Sequence, residues 1–302
     1  MAERKVAEPL DHADHLRRLI SYFEDTQRDY RLWWMTSAAL AMHFGFYDEQ
    51  TRKHAEALIN MNRELATRAR VQSGDRVLDA GCGVGGSAIW LARELGARVV
   101  GINVVPGDID RGRRYARRRG VADRVTFELQ DMTRTTFPTG SFDVVWAIES
   151  VCHVPDKREF LAEARRLLKP GGRLVVADAF RRRRPFEQAD ERLLHDWLYP
   201  WAVQDLMTPG EFTAAAEENG FARVHFEDVS DHVRPSSLHM YRLMRVLYPL
   251  GVARRRLGLL TDVQLANRRS ALEQYRVVRR GLIVYGLLTA TPYASNDPSG
   301  MT

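Results

Sequence analysis

Between an apolar run, RVLDA (76–80), and a run with helical spacing, SAIWLAREL (87–95), the chain sets four glycines in six residues, GCGVGG (81–86). Glycine lets a backbone turn sharply and lets a ligand approach it closely. A strand, a glycine loop and a helix in this order commit the region to an α/β fold with a ligand at the carboxyl end of the strand. They do not name the ligand, because dinucleotide-binding chains use such a turn too. Three details narrow the choice. Asp79 precedes the first glycine, where it would repel a pyrophosphate and suits a cationic amino-acid ligand. The Lys-Ser/Thr pair of a phosphate-binding loop is missing. The next apolar run, ARVVGIN (97–103), ends in Asn103, where a dinucleotide fold places an acid.

The alternation continues along the chain. Residues 106–119 read as a helix stopped by Gly120, and RVTFELQ (124–130) and FDVVWAI (142–148) as strands. Asp156 and Glu159 fit a capping box before the helix FLAEARRLLK. KPGG (169–172) turns the chain into the strand RLVVADAF. Thr208, Pro209 and Gly220 bound a further helix. ARVHFEDV (222–229) and GLIVYGLLTAT (281–291) complete seven strands. The expected fold is a Rossmann-like, seven-stranded, mostly parallel α/β sheet with helical lid segments. Residues 1–70 form an N-terminal lid, which is helical over 12–70. Residues 71–180 form the binding core. Residues 181–302 supply the rest of the sheet, with helical insertions at about 181–206 and 235–276. The tail SNDPSGMT is expected to be disordered.

LDAGCGVGG resembles motif I of the class I S-adenosylmethionine-dependent methyltransferases. The likeness continues through QDM (130–132), FDVVWAIESVCHVPDK and LLKPGGRL, and so covers roughly residues 70–180. Within that family the chain is similar to the sterol, tocopherol and prenyl-diphosphate C-methyltransferase branch, in AIESVCHVPD, HFGFYD (43–48) and DVSDHVRPS (228–236). The resemblance implies S-adenosylmethionine as cofactor and a methyl transfer as the reaction. It also implies that Asp79, Gly81 and Gly83 hold the methionine moiety. Asn103 would hold the ribose, as an amide in place of the usual carboxylate, and Asp131 and Met132 would flank the adenine.

The segment AIESVCHVPDK (147–157) follows the fourth strand and puts Glu149, Cys152 and His153 at its carboxyl end, where ligands of open sheets bind. Methyl transfer from a sulfonium requires the nucleophile to lie in line with the methyl carbon. An alkene acceptor requires more, because its carbocation needs aromatic walls and a base. Glu149 suits the base, and its carboxylate also offsets the developing charge. His153 is the second candidate, as the base itself or as the group that orients Glu149. A backbone cap for Glu149 and a structural hydrogen bond for His153 are the plain alternatives, and Cys152 reads as a small buried hydrophobe. Trp34, Phe44, Tyr47, Trp197 and Trp201 in the lid segments are candidates for the acceptor walls. Arg181, first of the run RRRRP, is a candidate for gripping a diphosphate. Each also reads as ordinary core or solvated charge. The expected function is C-methylation of a small isoprenoid-like alkene, with a prenyl diphosphate foremost, through a carbocation deprotonated by Glu149. The alternative is N- or O-methylation of a phenol, amine or alkaloid.

Other classes fit less well. The formal charge is +6, and 41 of the 45 basic residues are arginine. That bias reads as composition, or as recognition of an anion, and no RNA-binding appendage accompanies it. A small-molecule partner is expected and a nucleic acid is not. No apolar run reaches the length of a membrane span. Two cysteines suit a reducing cytosol, so a cytoplasmic protein is expected. No metal cluster is legible, although a diphosphate acceptor would bring Mg2+. The segment 235–276 is expected to close the pocket or to form a homo-oligomer contact, through Leu243, Val246, Leu247 and Leu250.

Overall fold

A computed structural model describes residues 11–293. The tail SNDPSGMT and the first ten residues lie outside them. Strands β1 (Arg76–Ala80), β2 (Arg98–Asn103), β3 (Val125–Leu129), β4 (Phe142–Ile148), β5 (Leu168–Arg181), β6 (Phe221–Asp228) and β7 (Ile283–Pro292) form one sheet in the order β3-β2-β1-β4-β5-β7-β6. All pairs from β3 to β5 are parallel, and β7 runs antiparallel to both β5 and β6. The winding reverses between β1 and β4, which opens a crevice beyond their carboxyl ends.

Side-chain alternation builds two cores. Val77, Val99, Val144 and Val175 share one face with helices α2 (His54–Arg68) and α3 (Gly86–Leu95). Leu78, Val100, Val145 and Val176 share the other with α5 (Lys157–Leu167) and α7 (Pro209–Glu218). Burial on both faces explains why the central strands read as unbroken apolar runs. Helix α4 (Pro106–Arg118) packs beside β3. Helices α1 (His12–Trp33), α6 (Gln188–Leu198), α8 (Ser230–Arg256) and α9 (Asp262–Arg279) gather over the carboxyl edge of the sheet, with α9 in contact with the other three. Among the described residues, no helix is long and apolar enough to cross a membrane.

Four local expectations change. The segment 235–276 is two helices, because the chain turns at Gly258 (φ +71°) and restarts at a Thr261–Gln264 capping box. Of its expected apolar face, Leu247 turns inward while Val246 and Leu250 stay exposed. KPGG is no separate turn: β5 runs through it with a register shift against β4, and Gly171 takes φ +73°. Residues 34–53 contain no helix. There Trp34 Nε1 donates to the His43 carbonyl (3.2 Å). Asp156 does cap α5, accepting from the Arg158 amide at 2.9 Å. Glu159 closes no box with it and reaches Arg134 instead (3.4 Å).

The glycine loop is fixed by close approach. Gly81 has φ +83°, and a Cβ there would lie 2.3 Å from Ser150 Cβ. Ser150 Oγ donates to the Ala80 carbonyl (2.7 Å), which ties the tip of β1 to the tip of β4. Gly81→Ala combines overpacking with a left-handed alanine and is expected to lower stability by about 2–4 kcal/mol. A denaturation midpoint unchanged from wild type would contradict this reading of the loop.

Candidate functional site

One continuous cavity opens over the tips of β1, β2 and β4 and runs up under the lid helices. At one end it is walled by Asp79, Gly81, Gly83, Asn103, Asp131 and Met132. Asp79 is 3% exposed, and its Oδ2 has no hydrogen-bond partner. Burial pushes its carboxyl up to about 7, against one backbone hydrogen bond from Ala88. A buried, half-satisfied carboxylate is costly, and an ammonium group would complete it. This orphaned oxygen fits the α-amino group of a methionine moiety. Asn103 Oδ1 accepts from the Val104 amide (2.7 Å), and its Nδ2 faces Asp108 (3.4 Å) and the Gly83 carbonyl (3.5 Å). Asp131 Oδ1 accepts from both the amide and the hydroxyl of Thr133 (2.9 Å each), while Oδ2 pairs with His12 Nε2 (2.7 Å) at the start of α1.

Glu149 follows β4 directly and holds φ +46°, unusual for a non-glycine residue. Its amide donates to the Ala177 carbonyl of β5 (2.8 Å), which extends the β4–β5 pairing to the bend. Its Oε1 accepts from the Phe44 amide (2.6 Å) and from the Tyr285 hydroxyl (2.8 Å). Burial drives the Glu149 carboxyl up to about 8; those two hydrogen bonds oppose the rise, and the charge of Asp178 adds to it. Asp178, on β5, accepts from the amides of Cys152 (2.9 Å) and Ala179 (2.8 Å) and is itself pushed up to about 6 by burial. Cys152, half-buried, packs against an apolar cluster that includes Trp197.

His153 lines the same cavity, but Tyr285 and the Phe44 amide, not His153, aim Glu149. Burial holds the His153 ring down at about 4, so it is neutral near pH 7, and its Nδ1 lacks a side-chain or backbone partner close enough to bond. Its carbonyl accepts from His15 Nε2 (2.7 Å), whose Nδ1 is bonded to Gln204 (3.1 Å). His15 thereby fastens α1 to the loop after β4.

Above Glu149 the walls are Tyr22, Phe23 and Tyr30 of α1, Phe44, Trp197, Trp201, Met240 and Tyr285. Among the described residues, no lysine or arginine lines the cavity. Of the expected acceptor walls, Phe44, Trp197 and Trp201 are in it. Trp34, Tyr47 and Arg181 are not: Trp34 packs behind Phe44 against His54, and the Tyr47 hydroxyl meets His54 Nδ1 (3.3 Å). Arg181 is buried with its guanidinium held by Glu191 and by Asp205 Oδ1 (3.1 Å), so it is spent within the fold. Tyr285, Asp178, Tyr22, Tyr30, His15 and Gln274 line the cavity without having been expected there. Tyr285 left one signal, a lone hydroxyl inside the apolar run GLIVYGLL.

A family model described as a methyltransferase domain matches residues 78–176. The methyltransferase GfsG of Streptomyces halstedii is 34% identical over 210 residues, which are 69% of this chain and 75% of that protein. A sterol 24-C-methyltransferase of Eremothecium gossypii is 39% identical over 164 residues, 53% of this chain and 43% of that one. The geranyl diphosphate C-methyltransferase from Streptomyces coelicolor A3(2), solved with Mg2+, geranyl diphosphate and S-adenosyl-L-homocysteine, shares the fold at a TM-score of 0.70. The sequence identity there is 21%, with 94% of this chain and 100% of that one covered. Motif I, the orphaned carboxylate beside it and these likenesses agree: the chain belongs to the class I S-adenosylmethionine-dependent methyltransferases, in the branch that includes the sterol methyltransferases.

Proposed function

We propose that this methyltransferase acts on a carbon of an uncharged, isoprenoid-like alkene, with Glu149 as the base. The observation that carries the reading is the half-buried Glu149, aimed by Tyr285 and the Phe44 amide into aromatic walls that carry no lysine or arginine among the described residues. S-adenosylmethionine supplies an electrophilic methyl group on a positively charged sulfur. Asp79 would bind its ammonium group, Gly81 and Gly83 let it approach the backbone, and Asn103, Asp131 and Met132 would hold ribose and adenine. The walls exclude water and orient the alkene so that its π electrons form the new C–C bond as the C–S bond breaks. The aromatic faces of Phe23, Trp197 and Trp201 tolerate the resulting carbocation. Glu149 then takes the proton from the neighbouring carbon, and the electrons of that C–H bond restore the double bond. The net products are the methylated alkene, the demethylated donor and one proton.

A diphosphate acceptor fits this cavity poorly. Arg181 is committed to Glu191 and Asp205, and no other lysine or arginine among the described residues stands in for it. Buried charge without a counter-charge is strongly disfavoured. An uncharged acceptor brings no Mg2+ with it. O-methylation is the competing reading, because the same carboxylate can take a hydroxyl proton. Donor carrying a CD3 group, offered with a panel of terpene alcohols, prenyl diphosphates, phenols and amines, separates the readings by mass and NMR of the products. The expected result is CD3 bound to carbon on an uncharged isoprenoid. CD3 on oxygen or nitrogen, or turnover of prenyl diphosphates alone, would contradict it.

A further inference from the structure

Gln274 stands out among the polar side chains of the lid. It lies on α9, is 2% exposed and lines the cavity, and its Oε1 has no hydrogen-bond partner. The other carboxamides of the same helix are engaged. Gln264 closes the capping box and donates to the Asp25 carbonyl (3.0 Å). Asn267, two turns before Gln274 and on its face of the helix, accepts from the Tyr22 hydroxyl (3.0 Å). An amide oxygen left without a protein partner in a buried site is a standing cost to the fold. A partner that arrives with the acceptor would remove that cost.

Tyr30 adds a second group of the same sense. Tyr22 spends its hydrogen on Asn267, so the 2.7 Å contact between the two hydroxyls makes Tyr30 the donor to Tyr22. Tyr30 also lines the cavity, and with its hydrogen committed it presents only lone pairs. Gln274 Oε1 and Tyr30 Oη are thus two hydrogen-bond acceptors on a mainly aromatic wall, which also carries one unpartnered donor, Trp197 Nε1; a hydroxyl group, donor and acceptor at once, suits both kinds. The two acceptors are read by a donor, and neither is satisfied by a hydrocarbon or by a deprotonated anion.

Building on the isoprenoid reading above, we infer that Gln274 is a specificity-determining residue that selects an acceptor carrying a free hydroxyl group, a terpenoid alcohol rather than the corresponding hydrocarbon. The hydroxyl donates to the carboxamide oxygen, which fixes which end of the acceptor lies deep in the pocket and which double bond faces Glu149. A site built to bond a hydroxyl rejects the analogue without one far more strongly than an apolar pocket rejects an added hydroxyl.

The test uses the full-length enzyme saturated with S-adenosylhomocysteine, and farnesol and farnesene as matched probes. Binding is followed by the fluorescence of Trp197 and Trp201, which line the cavity. Wild type is expected to bind farnesol about tenfold more tightly than farnesene, the effect of one buried hydrogen bond. Gln274→Leu is expected to bring that ratio close to one and to raise the melting temperature of the ligand-free enzyme by about 2 °C or more. Should the leucine variant not fold, Gln274→Met carries the same comparison. A ratio unchanged by the substitution removes the anchor while leaving the isoprenoid reading intact. Failure of both probes to bind wild type removes the isoprenoid reading and the anchor with it.

Discussion

Replacing Glu149 by Gln is expected to lower turnover by about 10²–10⁴-fold, the usual contribution of a positioned general base. The substitution is nearly isosteric. Oε1, which accepts from Phe44 and Tyr285, is kept as an amide oxygen, so the loop after β4 and the aromatic wall stay in place. What is lost is the capacity to take a proton. The pH dependence has a definite sign. A base must be ionised, so wild-type kcat/KM rises with pH through the ionisation of Glu149, and the variant lacks that limb. Stability moves the opposite way. The Glu149 carboxyl stands at about 8 in the fold against an ordinary 4.5, so its contribution is complete below pH 4.5 and is lost as pH rises through 8. The variant should therefore gain on wild type under alkaline conditions, by up to about 4–5 kcal/mol at pH 9 before relaxation of the site is allowed for. Turnover within threefold of wild type would remove Glu149 from the mechanism.

Asp79→Asn is expected to weaken binding of S-adenosylhomocysteine on the order of hundredfold, because a charge-assisted hydrogen bond in a buried site becomes a neutral one. S-adenosylhomocysteine is the informative ligand, since it keeps the ammonium group and lacks the sulfonium. The ligand-free variant should meanwhile be the more stable protein. Asp79 stands at about 7 against an ordinary 3.8, so wild type loses stability as pH rises from 3.8 through 7. Asparagine has no such loss. By the same linkage, binding of the ammonium group ionises Asp79, and wild type should release a proton on binding near pH 7, seen as a dependence of the calorimetric heat on the buffer. A variant that binds as tightly as wild type would move the methionine moiety away from Asp79.

The sheet was legible because its signals are local. The central strands are short, largely apolar runs, and β1 and β4 fall on the expected residues. Motif I was legible for the same reason: its geometry is contained in nine consecutive positions. The lid was less so. In 235–276 the break does have local signals, a stop glycine at 258 and the capping-box pattern TDVQ (261–264), but the helical spacing on either side masks them. The non-helical path of 34–53 brings Gly45 close against Ala57 of α2, a tertiary contact that no local pattern encodes. Arg181 shows the limit at the site itself. A charge run at the carboxyl edge looks available until its partners appear, and Glu191 and Asp205 come from segments 10 and 24 residues further on. Tyr285 reaches Glu149 across 136 residues, a pairing that no periodicity encodes.

The account rests on a sulfonium donor lying within electrostatic reach of the Glu149 carboxyl. S-adenosylmethionine and S-adenosylhomocysteine bring the same ammonium group to Asp79 and differ by one methyl and one positive charge, so the infrared difference between their two complexes isolates groups that feel the sulfur. Near pH 7 the account predicts a protonated-carboxyl band in the S-adenosylhomocysteine complex that is lost in the S-adenosylmethionine complex and is missing from both complexes of Glu149→Gln. Identical carboxyl spectra with the two ligands, or a band that survives the substitution, would contradict it.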